Sequence, residues 1–399
     1  MCRHLLLDDW LCQCSGHALA GMPKEIDIFG VERRRKSFVQ RPRGVMALFR
    51  IVLTCLFFIM VCVPLTAEQT GNSPVRVERL LDRPIITPSL HPTIGQNIQG
   101  PSLIRVPDWV EDPLGTYYLY FADHKGRYIR LAYADDLLGP WHIHPSGSLQ
   151  IDESHFLTAP PTVSAEELEQ IRVNRQSRVV IGSSISHDLL TEVTTPHIAS
   201  PDVHVDHANQ RVVMYFHGLE DVGRQVSRVA ISSDGLIFKA QPQVLGRTYM
   251  RVFEHQGDTY AMSMPGQFYR SSDPLNGFQT GPLLFNRNMR HAGLLKREDT
   301  LFVFWTQVGD VPERVYLSRL DLSGDWMSWQ ETDPIEVLRP THEWEGADAP
   351  LEPSVRSTAY GHVNQLRDPA IFEESGRIFL LYAVAGESGI AIAEVHIEE

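Results

Sequence analysis

From residue 99 onward, short apolar runs alternate with polar turns in a pattern that repeats five times. Each unit has an apolar opening segment, an aromatic-rich second segment and a third segment that ends near a Ser, Asp, Gly or Trp turn. The first unit runs through Gly100–Arg105, Tyr117–Phe121 and Ile129–Tyr133 and closes at Gly139-Pro-Trp141. The second has Ser200–Val205, Val212–Phe216 and Ser227–Ile231, ending at Ser233–Leu236. Tyr249–Phe253, Thr259–Met262 and Gln267–Arg270 form the third, ending at Asn276–Phe278; His291–Leu295, Leu301–Trp305 and Val315–Ser318 form the fourth, ending at Trp326–Trp329. The fifth has Arg367–Phe372, Ile378–Tyr382 and Gly389–Ala393. A unit of this size cannot bury both faces of its own sheet, so five of them predict an all-β, five-bladed propeller. A many-stranded sandwich is the competing arrangement, and the spacing of the units with their aromatic second strands favours blades.

The fifth unit stops after its third strand, while Val75–Leu81 is strand-like and belongs to no unit. That segment is expected to complete the last blade, tying down both ends of the domain and removing a sheet edge. Two insertions interrupt the repeat. One, between units one and two, contains Ser164–Ile171, where Ser164 and Glu167 have capping-box spacing and predict a short helix. The other separates units four and five and carries Trp344–Asp348 and Glu352.

Upstream of the repeats the pattern changes. Met46–Arg50 leads into the apolar run Ile51–Val63 and the small-residue stretch Pro64–Ala67, which reads as a signal peptide beginning at Met46. The run is shorter than the roughly 20 residues of a spanning helix, so cleavage and release are expected, with an uncleaved anchor as the alternative. Met60 and Val61 before Cys62 are too large for a lipoprotein signal. The expected division is therefore an upstream stretch outside any domain (1–45, as from a start codon assigned too early), a leader (46–67) and a propeller (75–399), the last secreted or periplasmic. All five cysteines precede residue 68, so the exported chain would carry neither disulfides nor thiol chemistry. A net charge of −13 argues against a nucleic-acid partner. A monomer is expected, without membrane contact once the leader is removed.

The Pro-containing opening Arg367-Asp-Pro-Ala-Ile-Phe372, the aromatic second strands and the Gly-Pro-Trp and Asp-Gly turns resemble the five-bladed glycoside hydrolases of the arabinanase and levansucrase type, such as families 43 and 117, over roughly residues 75–399. The resemblance implies a carbohydrate substrate and a central funnel presenting carboxylates, sometimes with a histidine. It implies no required cofactor and leaves room for a calcium ion in the channel, with no metal ligands assigned.

Propeller topology brings the openings of first strands and the ends of second strands to one face. The first set supplies Gln99, Ser200, Asp202, His204, Arg251, Arg290, His291, Arg367 and Asp368; the second supplies Asp123, His124, His217, Gln307 and Glu387. Sugar hydroxyls need paired donors and acceptors, which this mixture offers. Asp123, His124, His217, Arg251, Arg290, Gln307 and Arg367 are therefore candidates for substrate binding. Glycosidic hydrolysis ordinarily uses two carboxyl groups. Asp368 precedes Pro369 in the slot where the family resemblance implies an inward acid, but the matching slots hold Gly100 and Ser200. Asp202, two residues deeper in its strand, is the expected substitute for the missing base. His291, or else Glu345 on the inserted loop, is the candidate acid. Asp202, Asp368 and His291 are thus the expected catalytic set. A sugar-binding propeller without catalysis and a phosphorylase that draws on Arg251, Arg290 and Arg367 stay open as alternatives.

Overall fold

The computed structural model describes residues 75–177 and 188–398. The upstream stretch and the leader read from the sequence lie outside the described residues. Among the described residues, twenty-one strands assemble into five antiparallel sheets, the blades of a propeller. Their inner strands are Gln99–Arg105, Ile198–Asp206, Arg251–His255, Met289–Arg297 and Arg367–Glu374. The second strands are Tyr117–Ala122, Arg211–Asp221, Asp258–Ser263, Thr300–Gln307 and Arg377–Ala383.

The apolar content of those second strands follows from where their two faces point. Successive side chains of a strand face opposite ways. In blade 1, Tyr118 and Tyr120 enter one apolar cluster with Met214 and Phe216 of blade 2. Their neighbours Tyr117, Leu119 and Phe121 enter another with Phe379 and Leu381 of blade 5. Blade 5 then turns Ile378, Leu380 and Tyr382 toward Phe302 and Phe304 of blade 4, and Leu301, Val303 and Trp305 of blade 4 meet Tyr260 and Met262 of blade 3. Val213 and Tyr215 of blade 2 with Ala261 and Tyr269 of blade 3 complete the ring. The core is thus five wedges, each shared by two blades.

Closure occurs as the sequence predicts. Val75–Arg79 pairs antiparallel with Ile390–Ile397, from Val75 opposite Ile397 to Arg79 opposite Ala393. A part-buried ion pair locks it: Arg79 donates to the buried Glu345 through Nε at 2.8 Å and Nη2 at 2.9 Å. Glu345 also accepts from the Tyr382 hydroxyl at 3.0 Å and the Thr341 backbone N–H at 2.8 Å. This corrects the expectation that Glu345 is a candidate acid, because both of its oxygens are consumed in holding the inserted loop to the closing strand. The other insertion carries two helices, α1 (Ala165–Gln176) and α2 (Leu189–Thr194), and the Ser164–Glu167 capping box forms as expected. Among the described residues, no helix is long and apolar enough to cross a membrane.

Glu345→Ala strands Arg79 beside a buried gap and is expected to cost about 3–5 kcal/mol. Urea unfolding measures this, and a loss below about 1 kcal/mol would contradict the latch.

Candidate active site

At four of the five inner strands the pairing with the second strand shifts register at the same place, between Gln99 and Ser102, Ala199 and Asp202, Met289 and Ala292, and Arg367 and Ala370. Two residues there oppose one on the partner strand, which re-aims the side chains on either side. The paired residues are Gly100-Pro101, Ser200-Pro201, Arg290-His291 and Asp368-Pro369. Gly100, Ser200 and Asp368 all adopt the left-handed backbone region, with φ of 63°, 51° and 49°.

The register shifts gather a cavity of about 70 Å³ lined by Gln99, His124, Glu192, Ser200, His217, Gln225, Thr248, Tyr249, Met264, Arg290, His291, Arg356 and Ser357. Two of its histidines are each backed by a buried carboxyl group. His291 places Nδ1 3.4 Å from Asp368 Oδ1 and accepts the Asp368 backbone N–H at 3.3 Å. The Tyr249 hydroxyl donates to the same Asp368 oxygen at 2.9 Å, and its ring stacks on His291 with centroids 4.8 Å apart. His124 places Nδ1 3.2 Å from Glu387 Oε1, and Asn97 steadies both members, accepting the His124 backbone N–H and donating to Glu387 Oε2 at 2.8 Å each.

Burial sets the charges. It pushes the Asp368 carboxyl up to about 6, with the Glu387 charge adding to the effect. Glu387 goes the other way: despite its burial, contacts from His124, Arg367 and Asn97 hold it well below the usual carboxylate range. Burial, reinforced by Arg290 and Arg367, drives His291 well below its ordinary value. His217 is depressed likewise, by burial and then by His197, which is itself held down to about 3. Two carboxyls pushed apart and neutral imidazoles facing a polar cavity form an acid–base array.

The remaining candidates are placed elsewhere. Asp202 lines a separate cavity of about 310 Å³ formed by later residues of the inner strands, bonded to His204 Nε2 at 2.8 Å and to the Val252 backbone N–H at 2.8 Å. The expectation that it substitutes for the base is corrected. Counting two residues on from Ser200 assumes an unbroken strand, and the register shift falls in that interval. Arg251 is buried, donating to the Ala292 and Ser200 carbonyls at 3.1 Å each and lying over the Tyr249 ring at 4.1 Å, so it braces the channel between blades 2 and 4. Arg367 is also buried, between Glu387 at 2.7 Å and Glu313 at 3.4 Å. Asp123 shapes a turn by accepting the Lys125 N–H at 2.8 Å, and Gln307 bonds Asn286 and Asp310. None of these five lines the first cavity. Glu192, Tyr249, Arg356 and Ser357 line it without having been singled out from the sequence; only Tyr249, beside the opening Arg251, carried a usable signal.

The vacant acid slot has a steric cause. A Cβ at Gly100 would lie 2.8 Å from Ser200 Cα, so the inner strands of blades 1 and 2 approach too closely for any side chain there. Among the described residues, no group of three His, Cys, Asp or Glu side chains is disposed to hold a metal ion.

These features define a five-bladed β-propeller with a histidine- and arginine-lined cavity among its inner strands. No protein-family model matches the chain. It is 36% identical over 325 residues to uncharacterized protein R118 of Acanthamoeba polyphaga mimivirus, covering 75% of this chain and 83% of that protein, and it belongs to the same family. Among solved structures it is similar to CoXyl43, a GH43 β-xylosidase/α-arabinofuranosidase from a compost microbial metagenome, at 11% identity and a TM-score of 0.46, covering 80% of this chain and 94% of that one. It is similar also to a putative glycoside hydrolase from Parabacteroides distasonis, at 10% identity and a TM-score of 0.47 over 81% and 96% of the two chains. The α-L-arabinanase of Cellvibrio cellulosa, solved with arabinohexaose, matches at 11% identity and a TM-score of 0.42 over 74% and 91%. The likeness to these glycoside hydrolases is one of fold.

Two outcomes are expected. Because the Asp368 carboxyl titrates higher in the folded chain than in the unfolded one, the folded state holds the extra proton between about pH 4 and 6, and stability falls as pH rises through that window. Asp368→Asn should therefore stabilise the protein by on the order of 2–3 kcal/mol at pH 7–8 and by little at pH 4, read from unfolding curves at the two pH values. Restoring an acid by Gly100→Asp should instead cost about 2–4 kcal/mol, through the positive φ and the clash at Ser200, as thermal unfolding would show.

Proposed function

We propose that this protein is an exported glycoside hydrolase in which histidines carry the proton transfers that carboxylates usually perform directly. The observation that carries the reading is the pair of carboxyl-backed imidazoles, His291–Asp368 and His124–Glu387, lining one polar cavity. His124, whose Nδ1–H donates to the ionised Glu387, draws a proton through its other ring nitrogen from water as that water attacks the anomeric carbon. His291, whose Nδ1 accepts and whose other ring nitrogen therefore carries the proton, gives that proton to the departing oxygen while Nδ1 takes the proton of the Asp368 carboxyl behind it. Gln99, Ser200, Glu192 and Ser357 offer hydroxyl partners around the same space. Export rests on the leader at residues 46–67, and material recovered outside the cell is expected to begin at Glu68.

A second reading, a propeller that binds sugar without cleaving it, is favoured by one specific feature. The cavity of about 70 Å³ is well below the roughly 300–1,000 Å³ of most ligand pockets, so a sugar would rest at its rim unless the lining side chains yield.

The protein, tested against a panel of oligosaccharides, is expected to release reducing ends. His291→Ala and His124→Ala should each lower kcat by about 10²–10⁴-fold, the usual contribution of a general acid or base, with the circular dichroism spectrum unchanged. Binding by calorimetry without release of reducing ends would decide for the second reading.

A further inference from the structure

The cations around the cavity are unequally partnered. Arg290 and Arg367 share Glu313, each at 3.4 Å, and Arg367 has Glu387 as well. Lys125 pairs with Glu192 at 3.4 Å. These cations have carboxylate partners. Arg356 has none within ion-pair distance among the described residues. Its guanidinium donates to the Arg287 carbonyl at 2.9 Å and approaches the Met264 sulfur at 3.7 Å, both uncharged. It lines the cavity alongside Arg290, and burial, together with the neighbouring Arg290 charge, brings it down to about 10, so it stays a cation at neutral pH. The three cavity histidines add donors rather than negative charge. A half-buried guanidinium with open donors and a second guanidinium beside it matches a planar or tetrahedral oxyanion, because its fork can meet two oxygens at once.

We propose that the cavity takes the anionic substituent of a sugar seated at its rim, a uronate carboxylate or a sulfate ester, with Arg356 as its principal partner and Arg290 beside it. The proposal rests on the reading of the cavity as a carbohydrate site and names its substrate class. It also gives Arg356 a reason to be left unpaired: the ligand supplies the missing negative charge, and the desolvation already borne by the guanidinium is offset when that ligand arrives. Such a contact selects strongly against a neutral sugar, which would leave the cation without a partner.

The test measures calorimetric affinity of the full chain for three oligosaccharides of matched backbone and length: neutral, uronate-bearing and sulfated. An anionic member should bind about 10–100-fold more tightly than the neutral one at low salt, as expected for one charge-assisted contact, with the preference shrinking as ionic strength rises. The better of the two anionic members identifies the substituent. Arg356→Gln should collapse the preference toward one, while Arg356→Lys keeps part of it and guards against a folding defect. Equal affinity for neutral and anionic members, or a preference that survives in Arg356→Gln, would overturn the proposal and leave the hydrolase reading standing. Binding of inorganic sulfate with no oligosaccharide bound would overturn the sugar reading and leave Arg356 an anion site. Release from the neutral oligosaccharide that depends on added phosphate would also overturn the proposal, by assigning Arg356 to phosphorolysis.

Discussion

Every second strand of this propeller carries apolar side chains on both faces, and each face finds its partner only in a neighbouring blade. Tyr118 and Tyr120 serve one wedge while Tyr117, Leu119 and Phe121 serve the next, so a blade without both neighbours would expose a complete aromatic face. The ring must therefore close, and the Arg79–Glu345 pair sits where it does so. Closure in turn fixes how near the inner strands approach one another. The contact between Gly100 and Ser200 and the bracing by Arg251 are local results of that global constraint.

A channel drawn in so tightly excludes the simplest placement of catalytic carboxylates. The acids in this molecule stand one layer back. Asp368 and Glu387 are buried behind imidazoles, and the carboxylate that does line the cavity, Glu192, is paired with Lys125. Burial then does two things at once. It raises the Asp368 carboxyl to about 6 and suppresses the charge on His291, so the imidazole stays uncharged. His124, and after it Arg367 and Asn97, do the opposite for Glu387.

The fold was legible because two-sided burial writes itself into the sequence as aromatic runs at regular spacing, and the unpaired Val75–Leu81 segment marked its own destination. Placement was legible for residues at a strand opening or end: His124, His217, Arg290 and His291 meet at one cavity. It failed where local geometry departs from the regular strand. Asp202 was displaced by a register shift that has no compositional mark beyond a proline. Arg251 and Arg367, although they sit at strand openings, are used as internal braces because carbonyls and carboxylates of adjacent blades reach them first. Glu192 comes from α2, and Arg356 and Ser357 from the long connection before blade 5. No periodicity predicts where such connections fold back.

The pairing of Val75–Arg79 with Ile390–Ile397 has a temporal side. On a ribosome the first of these strands is made at the start of the domain and its partner at the domain's end, so four blades can be complete while Val75–Arg79, the outer strand of the fifth, still waits for its partner. Contacts this distant along the chain are slow to form, because loop-closure entropy must be overcome before they contribute. Until then two of the apolar wedges, blade 4 on blade 5 and blade 5 on blade 1, remain open to solvent. The nascent chain accordingly has a window, lasting until Ile390–Ile397 is made, in which a chaperone must cover those surfaces or the chain will find other partners for them.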